Sequence, residues 1–170
     1  MRNKEQLYYA CSELEGLHFK VFTSHQGIRQ IFINKKNASL KSFDAIKLHP
    51  DDPYLYNVFQ QLEEYFKGVR KEFKISLDVK GSDFQRKVWR ELQKIPYGKT
   101  VSYKKVAEKV GGSTFVRAVG RVNGQNPIPI IIPCHRVINT NGKLGGYSLG
   151  ISLKEKLLEL EGSLSLELFK

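Results

Sequence analysis

The stretch from Pro127 to Ile138 constrains this chain more than any other. It reads Pro-Ile-Pro-Ile-Ile-Ile-Pro-Cys-His-Arg-Val-Ile, with three prolines in its first seven residues. Each proline fixes φ and removes a backbone donor, so the stretch is predicted to be neither a helix nor a central strand. The isoleucines favour burial, yet they lead directly into Cys134 and His135. We therefore expect a rigid apolar segment that presents a thiol and an imidazole for chemistry.

Charge narrows the possible partners. The chain has 170 residues, a net charge of +11 and a pI of about 9.6. This balance favours a polyanion, either nucleic acid or an anionic membrane surface, although a basic surface can also serve solubility alone. Lys and Arg crowd the region from Arg86 to Arg121, where only Glu91 and Glu108 oppose them. The position of the charge therefore favours a binding surface in that region.

Location and metal binding can also be addressed from composition. No run of about 18 apolar residues occurs, and the polar start lacks the apolar region of a signal peptide, so a cytoplasmic protein is expected. The two cysteines, Cys11 and Cys134, form no CxxC pair, and the other histidines are scattered. Neither a disulfide framework nor a metal site is predicted. Cys11, beside two tyrosines, is interpreted as a small buried hydrophobe.

The first part of the chain has the pattern of a sheet. Apolar and polar residues alternate over 17–23 and again over 28–33, on either side of a glycine-containing turn. Residues 7–11 and 71–79 are interpreted as further strands. No pattern of catalytic residues accompanies them, so this part is predicted to be a scaffold.

One helix and a boundary complete the first part. Asp52 followed by Pro53 is typical of a helix start, and Gly68 of a helix end. The composition changes at Lys80-Gly81. We therefore predict an α+β protein of two domains, a scaffold domain over 1–80 and a second, mostly helical domain over 81–170.

The second domain begins with three predicted helices. Ser82 with Gln85 forms a capping box for the first, and Ser102 caps the second. A glycine turn ending in Ser113, a further cap, precedes the third helix over 114–122. Two short helices across such a turn predict a helix-turn-helix, a weak signal by itself.

The composition of the third helix sharpens that prediction. It carries Arg117 between small residues, whereas a helix that reads the major groove normally carries several long polar side chains. A single arginine among small residues suits close approach to a narrow groove. The alternative is that Ala118 and Gly120 only permit tight helix packing.

A last helix follows a glycine-rich loop. Ser152 with Glu155 is interpreted as a second capping box, and Leu153, Leu157 and Leu160 form the apolar stripe. The helix is predicted to run to Glu161-Gly162.

Cys134 requires a base if it is to act as a nucleophile, because a thiol is mostly protonated at neutral pH. In an extended segment His135 would point to the opposite face, so direct contact between the two is not expected. A relay through water, with a carboxylate orienting the imidazole, is more plausible, and Glu161 is one candidate for that carboxylate. The alternative is that Cys134 is an apolar filler and His135 a satisfied core histidine.

The run from Asn126 to Val137 closely resembles the active-site signature of the O6-alkylguanine-DNA alkyltransferases. The resemblance covers 84–162 and extends to several further motifs. These are Phe84-Gln85-Arg86-Lys87-Val88-Trp89, Ile95-Pro96-Tyr97-Gly98, Val101-Ser102-Tyr103, Arg117-Ala118-Val119-Gly120 and Lys154-Glu155-Lys156-Leu157-Leu158. It implies a ribonuclease-H-like N-terminal domain and a C-terminal domain with a winged-helix-like helix-turn-helix.

The resemblance also implies a function. A member of this family would flip O6-alkylguanine, and also O4-alkylthymine, from duplex DNA and transfer the alkyl group irreversibly to Cys134. The residues that it assigns to catalysis are Cys134, His135, Glu161, Tyr103 and Asn126. Those assigned to DNA and base binding are Arg117, Ala118, Gly120, Arg121, Ser102, Thr114, Pro129, Val137, Tyr147, Ser148 and Lys154. It implies a monomer that binds the minor groove of double-stranded DNA, and no metal or cofactor.

Within that resemblance, several residues have more specific implied roles. Arg117 would fill the space left by the flipped base, and Tyr103 would crowd the adjoining phosphate and protonate the base. The Ser148 backbone and the carbonyls of Cys134 and Val137 would hold the edge of the base. Pro129 and Tyr147 would line its pocket, and Asn126 would tie the helix pair to the cysteine loop.

Two departures from the family pattern and three rival functions remain open from the sequence. Leu149 stands where many members have glycine, and Arg121 replaces a small residue beside the DNA-facing helix and so adds a possible phosphate contact. The first rival, a binding-only alkyltransferase-like protein, usually carries tryptophan in place of the cysteine, which argues against that function here. The second rival is a helix-turn-helix transcription regulator, and the third is a cysteine hydrolase, which would need an oxyanion site.

Overall fold

The computed structural model describes residues 5–34 and 44–163. The chain has a mixed α+β fold and divides into two compact units, Met1–Lys80 and Gly81–Lys170. No helix within the described ranges has the length and apolar character needed to cross a membrane.

The N-terminal unit is a four-stranded sheet with one helix. Its strands are β1 (Leu7–Leu14), β2 (Leu17–Ser24), β3 (Gly27–Ile33) and β4 (Ala45–Lys47), and its helix is α1 (Pro53–Phe66). The strand order is β3-β2-β1-β4, with antiparallel pairs except for β4, which runs parallel to β1. The two hairpins arise because short turns join alternating strands. Helix α1 packs against β1 and β2.

Helix α1 confirms the start predicted from its cap. The Asp52 side chain accepts a hydrogen bond from the Tyr54 amide, and Pro53 occupies the first turn. The apolar face of α1 is buried, with Leu55, Phe59 and Leu62 at 6% exposure or less. This face covers the sheet and forms the core of the unit.

Two expectations for this unit are wrong, and one strand was not predicted. Residues 71–79 form no strand: their apolar and polar residues alternate as in a strand, but only Leu77 bridges to Ile28. Strand β4 was not predicted, because it has only three residues and two of them, Ile46 and Lys47, are exposed. Cys11 is exposed, because it alternates with the buried Ala10 and faces outward beside Lys20 of β2.

The C-terminal unit is mostly helical. Its helices are α2 (Asp83–Gln93), α3 (Tyr103–Val110), α4 (Val116–Gly124) and α5 (Ile151–Leu160). Strands β5 (Val101–Ser102) and β6 (Val137–Ile138) pair in parallel, and short 3-10 turns occupy Ser113–Phe115 and Cys134–Arg136. Helices α3 and α4 contact each other and form the helix-turn-helix pair.

The helix caps of this unit are partly as predicted. The capping box of Ser82 and Gln85 is present, and Ser102 caps α3 through the Lys105 amide. Ser113 is not a cap, because a 3-10 turn intervenes and α4 begins only at Val116. Ser152 lies inside α5, which begins after Gly150 without a side-chain cap.

Candidate active site

The cysteine lies in a tight turn at the end of the proline-rich stretch. Cys134–Arg136 is a 3-10 turn rather than the extended segment that we expected, and the Cys134 amide donates to the Ile132 carbonyl at 2.8 Å. Cys134 is only 1% exposed. Just before it, Ile130 adopts a φ of 74°, a left-handed conformation that β-branched residues rarely adopt. Burial of Ile130 holds this loop in shape.

Asparagines attach this loop to the end of α4. Asn126 donates from Nδ2 to the Ile132 carbonyl at 2.7 Å and accepts at Oδ1 from the Ile128 amide at 3.0 Å. Asn123 of α4 donates from Nδ2 to the Cys134 carbonyl at 3.2 Å. The helix and the cysteine loop are therefore fastened by side-chain amides on both sides of the turn.

The imidazole of His135 is oriented by Glu161. His135 Nε2 lies 2.9 Å from Glu161 Oε1, and both side chains are fully buried. His135 Nδ1 is buried and has no hydrogen-bond partner within the described ranges. Burial lowers the pKa of His135, an effect that the Glu161 carboxylate opposes. A neutral imidazole with one free nitrogen can accept a proton.

Arg136 belongs to the same network, and sequence reasoning missed it. Its Nε and Nη2 donate to Glu161 at 2.8 and 2.9 Å, and its Nη1 donates to the Ile95 carbonyl at 2.6 Å. Burial opposes ionisation of Glu161, but the hydrogen bonds from His135 and Arg136 lower its pKa to about 2. The signal in the sequence was the arginine directly after the Cys-His pair, inside a segment predicted to be buried.

The Ile-Pro-Tyr-Gly motif forms hydrogen bonds to Glu161 and to the residue before it. The Gly98 amide donates to Glu161 Oε2 at 3.3 Å, and the Tyr97 hydroxyl donates to the Leu160 carbonyl at 2.9 Å. Gly98 has a φ of 73°, and a Cβ there would lie 3.0 Å from the Glu161 carbonyl oxygen. Glycine is therefore required where the chain passes the end of α5.

Lys154 is not on the surface, contrary to its expected contact with DNA. It is fully buried, and its Nζ donates to the carbonyls of Val137, at 2.6 Å, and Leu144. Burial lowers its pKa to about 8. We therefore reassign Lys154 from the DNA surface to the interior of the site.

The surroundings of the Cys134 thiol affect its pKa in both directions. Burial raises the pKa of Cys134, while the side chains of Asn126 and Tyr147 and the charge of Lys154 lower it. The Tyr147 hydroxyl lies 3.9 Å from the Cys134 sulfur. Polar groups are thus in place to favour the thiolate once its proton is removed.

A cavity of about 440 Å³ lies beside this group of residues. The residues lining it are Tyr103, Val116, Gly120, Asn123, Gly124, Asn139, Gly146, Tyr147 and Ser148. Four of them, Tyr103, Gly120, Tyr147 and Ser148, were candidates from the sequence, and Asn123 was missed. Pro129 and Val137 are buried and, like Cys134 itself, are not among the residues that line this cavity.

Tyr103 stands at the first position of α3, half-buried at the cavity. Burial and the neighbouring Cys134 raise the pKa of its hydroxyl, an effect that the Asn123 side chain opposes. The hydroxyl therefore remains protonated at neutral pH and can donate its proton or a hydrogen bond.

The remaining candidate DNA contacts lie on or next to α4, except for Ser102, which precedes α3. Thr114, Arg117 and Arg121 are exposed, whereas Ala118 and Gly120 are half-buried. A Cβ at Gly120 would meet nothing within 4 Å, so helix packing does not require a glycine there. This observation removes the packing explanation for Gly120. Ser102, half-buried, is occupied as the cap of α3.

Residues 7–79 match the family model described as "6-O-methylguanine DNA methyltransferase, ribonuclease-like domain". Residues 83–163 match the one described as "6-O-methylguanine DNA methyltransferase, DNA binding domain". The chain belongs to the 6-O-methylguanine DNA methyltransferase family. The resemblance found in the sequence is thereby confirmed.

Individual methyltransferases of this family are similar over most of the chain. A methylated-DNA--protein-cysteine methyltransferase of Methanosarcina acetivorans is 48% identical over 92% of this chain and 99% of its own length. One of Mycolicibacterium paratuberculosis is 56% identical over 60% of this chain; the aligned part spans 62% of that relative. The crystal structure of Mycobacterium tuberculosis OGT in complex with DNA has a TM-score of 0.82 at 37% identity, covering 92% of this chain and 93% of that chain.

The described residues of this methyltransferase-family chain include no group of three or more His, Cys, Asp or Glu side chains able to hold a metal ion. The residues that line the cavity and surround Cys134 supply a nucleophile, a base with its carboxylate, and a phenol. Such a set is suited to displacement at carbon by sulfur.

Proposed function

We propose that this protein repairs DNA by taking the alkyl group from O6 of guanine, and also from O4 of thymine, onto its own Cys134. The observation that carries the proposal is the position of the buried Cys134 sulfur, 3.9 Å from a tyrosine hydroxyl of a cavity large enough for a nucleobase. A base inside a duplex cannot reach this sulfur, so it must first be rotated out of the stack.

Binding would use the surface of α4. Arg117 would enter the minor groove and fill the space left by the flipped base, while Gly120 keeps the approach to the cavity open. Arg121 and Thr114 are exposed beside it and would contact phosphates. The minor groove carries little sequence information, which suits a protein that must inspect any sequence.

The reaction would begin with removal of the thiol proton. His135 would accept it through a water at the free Nδ1, while Glu161 fixes the ring from the other side. The thiolate then attacks the alkyl carbon, the bond from that carbon to O6 breaks, and Tyr103 gives a proton to the departing base. Transfer of the proton held by His135 to the Tyr103 phenolate through solvent then restores both groups, so that the net change moves one proton from the thiol to guanine and the alkyl group from O6 to sulfur.

The product would be a thioether. No group among the described residues offers a route for cleaving it, so each molecule would act once. The thioether needs neither a metal nor a diffusible donor for its formation. Retention of Cys134 argues against the binding-only alternative, which would flip the lesion without removing it.

Each of the two units would have its own role. Residues 1–80 would form the scaffold domain, and residues 81–170 the DNA-binding and alkyl-acceptor domain. The protein would act as a monomer in the cytoplasm; the exposed free thiol of Cys11 supports a reducing compartment.

The decisive experiment is incubation of the protein with a duplex that contains one O6-methylguanine, followed by peptide mass spectrometry. One methyl group should appear on Cys134 per protein molecule, and none on Cys11. The Cys11→Ser variant should react like the wild type, and Cys134→Ser should bind the duplex without accepting the methyl group. Repeated turnover, or methylation of Cys11, would overturn the proposal.

A further inference from the structure

Two large apolar side chains are exposed in the described part of the C-terminal unit. They are Phe115 and Ile151, each at 41%. A single exposed apolar side chain is ordinary, so Ile151 needs no explanation. Phe115 differs because its ring packs against the ring of Phe84 in α2, with centroids 5.6 Å apart and planes tilted by 37°. Phe84 and Phe115 form an aromatic pair at the surface.

The ring of Phe115 is held in place on more than one side. Phe84 is half-buried and packs on it, and a Cβ added at Gly111 would lie 3.2 Å from the same ring. Phe115 is also the last residue of the 3-10 turn that leads directly into α4. A partner that covers a fixed ring loses little side-chain entropy in doing so.

The aromatic pair lies at the end of α4 where the proposed DNA contacts begin. Thr114 and Arg117 are exposed on either side of Phe115 in the sequence, and Val116 lines the same cavity as Tyr103. A base that is flipped into this cavity remains bonded to its own strand. The nucleotides beside the lesion must therefore pass close to the start of α4.

The chemistry of the minor groove decides what the ring of Phe115 can contact there. The base edges are polar and the phosphates are charged, whereas the deoxyribose carbons along the groove walls are apolar. A ring without a polar atom is buried favourably only against apolar groups. Phenylalanine can also insert between bases, but a ring that stays packed against Phe84 is not free to extend into the stack.

We propose that Phe115, backed by Phe84, is a specificity-determining residue that packs against deoxyribose groups of the minor-groove wall next to the lesion. This inference rests on the proposed function and deepens it. A ribose displays its 2′-hydroxyl in the minor groove, and the ring would remove water from that hydroxyl without supplying a hydrogen-bond partner. The aromatic pair therefore favours a DNA strand over an RNA strand beside the lesion.

The test compares two duplexes that contain one O6-methylguanine, the second having ribose in the nucleotides on either side of the lesion. Affinities are measured by fluorescence anisotropy with Cys134→Ser, which does not consume the lesion, with and without Phe115→Ala. Phe115→Ala should weaken binding to the DNA duplex roughly five-fold, the value of burying part of a phenylalanine side chain. The preference for deoxyribose should fall by a similar factor. Effects of ribose on the duplex itself cancel, because both proteins meet the same two duplexes.

Two further measurements separate a sugar contact from other roles of Phe115. With Cys134 intact, Phe115→Ala should react with free O6-methylguanine as fast as the wild type, because the base alone does not extend to the aromatic pair. A loss equal to that on the duplex would indicate a purely structural role and overturn the inference. The salt dependence of binding should keep its slope, since no charge is removed. A lower slope would assign Phe115 to the phosphate contacts and also overturn it.

Ile151→Ala is the matched control, because Ile151 is equally exposed in the same unit. It should keep both the affinity and the preference for deoxyribose, and losses as large as those of Phe115→Ala would refute the assignment. If Phe115→Ala does not fold, Phe115→Gln replaces it, since glutamine covers Phe84 with its methylene groups but presents a polar amide. The same losses are expected.

Failure of this inference is distinguishable from failure of the proposed function. An unchanged preference for deoxyribose in the Phe115 variant would refute the sugar contact while leaving alkyl transfer intact. Absence of transfer from O6-methylguanine in the duplex to wild-type Cys134 would instead refute the proposed function.

Discussion

Arg136 and Glu161 form a two-point ion pair inside the C-terminal unit, with Nε to Oε2 at 2.8 Å and Nη2 to Oε1 at 2.9 Å. Glu161 Oε1 is also hydrogen-bonded to His135 Nε2, so one carboxylate interacts with both the Arg136 guanidinium and the His135 imidazole. The arginine neutralises the carboxylate, and this helps to keep His135 uncharged and able to accept a proton. The ion pair therefore links the stability of this unit to its chemistry.

Arg136→Met should strongly destabilise the C-terminal unit. It leaves Glu161 buried without its cation, and breaking a buried pair in this way costs about 3–5 kcal/mol. The only tryptophan, Trp89, is buried in this unit and donates to the Val122 carbonyl, so its fluorescence during denaturant unfolding reports the change. Lys94→Met, which removes the partly exposed pair with Glu91, is the control and should change much less. Equal effects would contradict the role given to Arg136.

Acid should destabilise the same unit through Glu161. Its pKa in the folded protein is about 2, below its ordinary value of 4.5. A carboxyl group with a lowered pKa stabilises the folded state above the ordinary value, and this stability is lost as the pH falls from about 4.5 towards 2. Glu161→Gln should show a flatter decline over this window, measured by Trp89 fluorescence. A decline as steep as that of the wild type would exclude Glu161 as the main titrating group.

Lys154→Met should slow alkyl transfer and shift its pH dependence. The ammonium of Lys154 favours the Cys134 thiolate, so its removal should raise the pKa of the thiol. Each unit of increase corresponds to a roughly ten-fold lower thiolate fraction near neutral pH. Single-turnover rates between pH 6 and 9, chosen as roughly the range that brackets thiol ionisation, should show the shift. The exposed Lys156→Met serves as the control, and identical profiles for both variants would refute the electrostatic role.

Gly98→Ala should be more harmful than Gly142→Ala. Both glycines have a positive φ, 73° and 80°, so the backbone contribution is similar, about 1–2 kcal/mol. Only at Gly98 would the added Cβ approach the Glu161 carbonyl oxygen, at 3.0 Å. Unfolding midpoints should differ accordingly, and the transfer rate should fall only in Gly98→Ala. Equal midpoints would show that the contact with Glu161 does not limit this position.

Arg117→Ala should affect repair in a duplex far more than reaction with the free base. Arg117 is exposed on α4 and lies outside the network that surrounds Cys134. Its loss should therefore spare reaction with free O6-methylguanine and slow transfer from DNA. For comparison, Arg121→Ala should weaken DNA binding and lower the slope of its salt dependence by about one. Similar losses on free base and duplex would rule out stack filling by Arg117.

Elements with strong local signals could be predicted from the sequence. The start of α1 at Asp52-Pro53 and the capping box of Ser82 and Gln85 depend on neighbouring residues only, so short patterns suffice. Ser152 with Glu155 shows the limit of such patterns, because the helix start at Gly150 is set by the glycine loop before it. A capping pattern does not fix a helix start where the surrounding chain decides it.

The interior of the site was harder to predict. The chemistry of Cys134, His135 and Glu161 could be anticipated, since the residue types themselves carry it. Lys154 could not, because lysine is normally exposed and only the folded chain brings two carbonyl groups to its Nζ. Asn123 was missed for a similar reason: its two amide ends acquire different surroundings only in three dimensions.

The left-handed backbone of Ile130 has a consequence for how the protein is used. An unfavourable conformation at a buried isoleucine persists only if the surrounding packing enforces it, so the loop that carries the sulfur is shaped during folding. An enzyme that turns over many times must open its active site to release each product. A protein that keeps the alkyl group on its sulfur has only the repaired base to release, and so tolerates a rigid, preformed loop around the reacting atom.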